Sequence, residues 1–144
     1  MTAVITAETR AEIEALIAEH AWLVDHGHAD RIHELYTADG RLLGIGPDMI
    51  GREAIAAYGK GRGQMTGRTA RHVCANMRLV AESADRIRGT VVNMLFRHDG
   101  PGRGLPETMA VADYEDIYAR DSDGRWRIAE RRLIIVFEAE AHRK

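Results

Sequence analysis

Helices first and a long antiparallel sheet afterwards: the 144-residue sequence predicts an α+β fold, with N-terminal helices packed in a strongly curved antiparallel sheet. Three observations predict it. Up to about residue 60, apolar residues recur at three- and four-residue spacing. From residue 69 onward the spacing changes to four long alternating runs. Short turn-rich spacers separate these runs, which pairs consecutive strands antiparallel. A curved sheet wrapped around a helix forms a cone with an open mouth. With 45% hydrophobic residues and no linker or internal repeat, residues 1–144 read as one domain with a real core.

The elements follow in order. Thr9-Arg10-Ala11-Glu12 has capping-box spacing, and Thr6 is an equally good cap. Ile13, Leu16, Ile17, His20, Leu23 and Val24 then keep helical spacing, and Gly27 is a stop, so a first helix spans 7–26. A short second helix, 29–36, presents Ile32, Leu35 and Tyr36. Asp39-Gly40 reads as a turn, 41–45 as a short strand, and Gly46-Pro47-Asp48 as its end. A third helix covers 51–59, with Ala54, Ile55 and Tyr58 as its apolar stripe. GKGRGQMTG (59–67) reads as a glycine-rich loop; it lacks the phosphate-binding GxxxxGK[ST] pattern, and a strand follows it. The four long strands are 69–82, 86–98, 107–120 and 125–138.

Bulk properties exclude several function classes. The net charge is −2 with acids and bases interspersed, so nothing marks a nucleic-acid partner. No apolar run approaches the roughly 20 residues that cross a membrane, and the N-terminal stretch carries charges where a signal peptide is apolar. One cysteine, Cys74, fits a reducing compartment. The expectation is a soluble, cytoplasmic protein.

In a cone-shaped fold the diagnostic residues are polar side chains aimed at the core. His20 lies in the middle of the first helix's apolar stripe, as a satisfied core histidine or as a pocket residue. Asp25 lies in the last turn, at the negative end of the helix dipole, where solvent or a donor must compensate it. Strict alternation puts His72, Cys74, Asn76 and Arg78 on one strand face and Val73, Ala75, Met77 and Leu79 on the other. The more apolar face is therefore the one without His72. Either both faces are covered, or a bulge changes the phase, or the histidine is exposed. Arg131 shares a face with Leu133 and Ile135, so it either snorkels or points into a cavity. Tyr36, Tyr58, Asn93 and Tyr114 are further pocket candidates, each with core packing as the plainer reading. Cys74 reads as packing. The histidines around Asp25 straddle a helix end and diverge, so no metal site is expected.

Taken together, these residues resemble the SnoaL-like branch of the nuclear-transport-factor-2-like (NTF2-like) superfamily, over nearly the whole chain. The resemblance is carried by Asp25 and LYTADGRL (35–42), by Gly51-Arg52-Glu53-Ala54-Ile55, by Arg71-His72-Val73-Cys74-Ala75-Asn76, and by GRWRIAERR (124–132). Within that branch the chain is most similar to scytalone dehydratase and the hexachlorocyclohexane dehydrochlorinase. Their aspartate at the end of helix 1 and their histidine on the first long strand match Asp25 and His72. His20 and Arg131 stand where the dehydrochlorinase has a cation and an arginine, although His20 replaces a lysine. The resemblance also implies a homodimer or homotrimer, and Val73, Met77, Ile134 and Val136 are the apolar residues expected on the sheet's outer face.

The chemistry expected is β-elimination, the loss of water or halide from a small, largely apolar molecule, without a cofactor. Asp25 would orient the His72 ring, which acts as general base. Arg131, and His20 if protonated, would meet the departing charge. Two alternatives stand beside it: an isomerase or cyclase of the ketosteroid-isomerase type, in which Asp25 itself carries the proton, and a module that only binds a small molecule.

Overall fold

Thr6 settles where the first helix begins: its hydroxyl accepts the Thr9 backbone N–H at 3.1 Å. The computed structural model describes residues 3–105 and 108–143. In chain order it contains helix α1 (Ala7–Asp25), a 3₁₀ helix (Ala29–Leu35), strands β1 (Tyr36–Leu43) and β2 (Met49–Ile50), helix α2 (Arg52–Gly63), the long strands β3 (Arg68–Ser83), β4 (Arg86–Asp99), β5 (Thr108–Arg120) and β6 (Trp126–Glu138), and a closing 3₁₀ turn (Glu140–Arg143). Glu107, which alternation assigns to the third long strand, lies outside the described residues. No helix among the described residues is long and apolar enough to cross a membrane.

The α+β architecture is the expected one. The sheet runs β2-β1-β6-β5-β4-β3. Its four long strands pair consecutively and antiparallel, as their short spacers predict. It is nevertheless mixed and open, because β1 adds to β6 in parallel and β3 is left at an edge. Ile13, Ile17 and Leu23 of α1 meet Val91, Tyr114, Tyr118, Trp126 and Ile128 of the sheet in one core. Near its start α1 is tied to β6, where Trp126 N–H donates to Glu12 at 2.8 Å. At its end it reaches β3 through Asp25.

Three local expectations are corrected. Asp39-Gly40 is not a turn between elements; β1 runs through it, with an irregular register against β6 between Tyr36 and Arg41. The third helix does not stop at residue 59. α2 continues to Gly63, through half of the predicted glycine loop. Gly59 is there for contact rather than flexibility, since a Cβ on it would drive into the Ala29 carbonyl. Finally, strict alternation fails inside β3. Ala75 pairs with Val92 but Arg78 pairs with Thr90, so residues 76 and 77 together oppose Val91. Asn76 absorbs the insertion at φ +55°, a conformation Asn tolerates better than most side chains.

That bulge resolves the conflict over His72. Before it, Ala70, His72 and Cys74 face inward; after it, Met77 and Leu79 do, both packed against the core. Met77 is therefore not an outer-face residue, whereas Val73, Ile134 and Val136 are exposed. A second bulge does the same in β6: Tyr118 pairs with Ile128 but Ile117 with Glu130, which brings Arg131 onto the face of Trp126 and Ile128.

Candidate active site

The end of α1 and the start of β3 meet at Asp25. Its two carboxylate oxygens are divided over one residue: Oδ2 accepts the His72 backbone N–H at 2.7 Å, and Oδ1 lies 2.6 Å from the His72 ring Nδ1. Arg71 Nη1 donates to the Asp25 carbonyl at 3.3 Å, placing a cation at the negative end of the helix. The Asp25 side chain is 4% exposed and that of His72 17%. Because a carboxylate only accepts, the proton on the ring sits on Nδ1. In the neutral ring Nε2 then carries the lone pair, and among the described residues nothing hydrogen-bonds to it.

His72 borders three spaces: an open groove of about 720 Å³ between α1 and β3, which Asp25 and Trp22 also line, and two on the inner side of the sheet. Of these two, one of about 300 Å³ also touches Tyr58, Asn93 and Tyr114. The other, of about 50 Å³, is an inner recess where His20, Tyr58, His72, Tyr114 and Arg131 converge. The structure thus gathers five of the eight predicted site residues around that recess. It adds Asn93 in the larger inner cavity and Asp25 behind His72. Tyr36 lines neither; it is fully buried in the core and reaches His20 Nε2 through its hydroxyl at 3.0 Å.

Electrostatics separates the members of this group. His20 has its pKa held well below the usual histidine value, first by burial and then by the nearby Arg131 charge. It is a neutral imidazole at pH 7, so it does not supply the second cation considered above. Burial pushes the phenols of Tyr36, Tyr58 and Tyr114 upward. They stay protonated and able to donate. Burial raises the Cys74 thiol as well, which disfavours the thiolate. Cys74 Sγ lies 3.8 Å from Asn93 Oδ1, its cross-strand neighbour.

Arg131 neither snorkels nor stands free. Its side chain is 1% exposed, and Asp116, directly opposite on β5 and 0% exposed, takes Nε at 3.0 Å and Nη2 at 2.8 Å. Burial opposes the arginine's charge, but the Asp116 carboxylate more than offsets this and holds its pKa well above the ordinary value. Tyr118 donates to the same carboxylate at 2.6 Å, and the guanidinium lies 3.9 Å from the Tyr114 ring centroid. Asp116 is the residue that sequence reasoning missed. A signal for it exists: Tyr114, Asp116 and Tyr118 share one face of β5, and a carboxylate on an aromatic face needs a cation.

Comparison with known proteins agrees with this architecture. The SnoaL-like domain pattern matches residues 6–132. The chain belongs to the SnoaL-like domain family. That family includes dehydratase, dehydrochlorinase and cyclase members. Similar solved structures include an NTF2-like protein with a cystatin-like fold from Novosphingobium aromaticivorans, with 24% identity, a TM-score of 0.77, and 94% of this chain and 87% of that chain covered. A scytalone dehydratase-like protein from the same organism has 18% identity and a TM-score of 0.78, covering 91% and 86%. LinA, the hexachlorocyclohexane dehydrochlorinase, has 21% identity and a TM-score of 0.74, covering 90% and 87%. No curated protein matches the chain. At these identities the structural likeness establishes the fold, which is NTF2-like; the chemistry has to be argued from the site.

Proposed function

We propose that the protein is a lyase that eliminates water or halide from a small molecule, with His72 as general base and Asp25 as the residue that orients it. One observation carries the reading: both Asp25 oxygens hold His72, through the ring Nδ1 and through the backbone N–H, and the ring borders the cavity. The grip fixes the tautomer with its lone pair on Nε2 and stabilises the imidazolium that forms on proton transfer. Nε2 takes the proton from carbon, the C–H electron pair becomes the new double bond, and the leaving group departs with its own bonding pair. The protonated phenols of Tyr58 and Tyr114 supply donors toward that departing charge, and Arg131 supplies a positive potential already largely matched by Asp116.

The same geometry argues against the isomerase reading. A carboxylate that shuttles the proton needs an oxygen facing the substrate. Asp25 has both engaged elsewhere and is almost enclosed.

The test uses β-hydroxy and β-halo compounds, followed by the ultraviolet absorbance of the conjugated alkene. His72→Ala is expected to lower kcat/KM by about 10²–10⁴-fold with the melting temperature little changed. Asp25→Asn should do the same. Its carbonyl can accept the backbone N–H, but its amide then donates to Nδ1, which moves the ring proton to Nε2 and disables the base. A His72→Ala protein that keeps most of its turnover refutes the mechanism.

A further inference from the structure

The cavity wall carries three arginines and no carboxylate. Arg62, in the last turn of α2, Arg68, at the start of β3, and Arg97, near the end of β4, all line the space of about 300 Å³ that His72 borders. Two of them are matched from outside the cavity by a single acid. Asp99, itself 51% exposed, takes Arg68 Nε at 3.0 Å and Arg97 Nη2 at 2.7 Å. The Arg62 side chain has neither a hydrogen bond nor an ion pair among the described residues. Burial and then the neighbouring Arg68 charge lower its pKa, Arg97 adds to the effect, and Tyr58 and the more distant Asp25 carboxylate act against it without reversing it. Three guanidiniums against one shared carboxylate leave positive charge on the wall of this space, which attracts anions.

The plainer account is that long arginines merely cover apolar wall at a cavity mouth. Charge balance speaks against it. Snorkelling needs no cluster, and like charges gathered on one wall raise each other's energy unless something negative sits between them. The spacing also suits a ligand. Arg97 pairs with Ala70, two residues from His72, and Arg68 is four residues away. At roughly 3.3 Å per strand residue these rows lie about 7 Å and about 13 Å along the strand from the base. A volume near 300 Å³ corresponds to about ten waters, the size of a small organic acid.

We propose that the molecule taken by this cavity carries a carboxylate, received by Arg62 between Arg68 and Arg97, with its reacting carbon directed at His72. This rests on the cavity being the substrate site of the elimination described above, and it replaces a purely apolar substrate by an acid with an apolar body. Arg62 is then a specificity-determining residue. Its planar fork matches a carboxylate in a way that a lysine does not.

Cinnamate and cinnamamide, alike in shape and unlike in charge, test it by titration calorimetry at low salt. The wild type is expected to bind cinnamate about tenfold or more tightly than the amide. Arg62→Gln should reduce that preference to near unity, and Arg62→Lys should leave it intermediate, both with unchanged circular dichroism. His72→Ala should keep the preference. A failed elimination assay with the preference intact therefore counts against the chemistry alone, and a lost preference with elimination intact counts against the carboxylate seat alone. Equal affinity for the two probes in the wild type, binding of neither, or an Arg62→Gln protein that still prefers the acid would overturn the proposal.

Discussion

Removing the carboxylate of Asp116 should harm the fold more than removing both charges of its ion pair. Arg131 and Asp116 have side chains 1% and 0% exposed and share two hydrogen bonds, with Tyr118 donating a third to the same carboxylate. Asp116→Ala leaves a fully buried guanidinium without a counter-charge, an error that typically costs about 3–5 kcal/mol. Arg131 can neither deprotonate nor reach water from the core, so the upper part of that range applies. For a chain of 144 residues, each kcal/mol moves the melting temperature by roughly 3 °C, which gives a drop of about 12–15 °C. Arg131→Met with Asp116→Leu removes both desolvation penalties and keeps apolar volume beside Tyr114. Buried pairs replaced in this way are often neutral or better. The double variant should thus melt well above either single one. Scanning calorimetry of wild type, both singles and the double closes the cycle and gives the coupling energy directly. If Asp116→Ala melts within about 3 °C of wild type, or if the double variant is as unstable as the sum of the singles, the pair is not the closed unit described here.

Two further outcomes follow from the same structure. His20 is neutral in the folded state because its pKa lies well below 6.5, while the unfolded chain binds a proton there at the ordinary value. The unfolded state therefore holds more protons below about pH 6.5, so stability should fall as pH drops through that point, by up to about 1.4 kcal/mol per pH unit from this group. His20→Gln should flatten the melting temperature between pH 6.5 and 5, and an unchanged slope would count against a buried neutral ring. Asn76 holds the β3 bulge at φ +55°. Asn76→Gly should keep wild-type stability within a few tenths of a kcal/mol, and Asn76→Val should lose about 1–2 kcal/mol or more in urea unfolding, because a β-branched residue resists that conformation. Equal stability of the two variants would show that the bulge is not pinned there.

How much of this was legible in the sequence depends on how each feature is encoded. Local periodicity placed Asp25 at the end of one helix and His72 near the start of one strand, and the family resemblance supplied their pairing. Which side chains face inward was harder, since strand alternation has a period of two and a single inserted residue inverts everything beyond it. Strict alternation set Met77 and Leu79 against His72 in β3, and it likewise set Trp126 and Ile128 against Arg131 in β6; in both strands the bulge reunites them. Asn76 marks its bulge by residue type, whereas nothing about Ala129 marks the other. The course of α2 through Gly59 was illegible for a different reason. Its glycine is dictated by the Ala29 carbonyl of another element, so tertiary contact overrides a local helix-breaking preference. Asp116 shows the limit of reading one strand at a time. Alternation separates Asp116, on the face of Tyr114 and Tyr118, from Asp113 and Glu115, but only cross-strand register sets it between Gly89 and Arg131. Gly89 contributes to that row by having no side chain, since a Cβ there would come within 2.9 Å of Leu79 and Tyr118. The buried ion pair is therefore encoded jointly in three strands. Its effect on the recess is chemical as well as mechanical: with Asp116 matching Arg131 inside the recess, the arginine side chain of the larger inner cavity without an ion pair among the described residues is Arg62, and it is this one that the proposed carboxylate would meet.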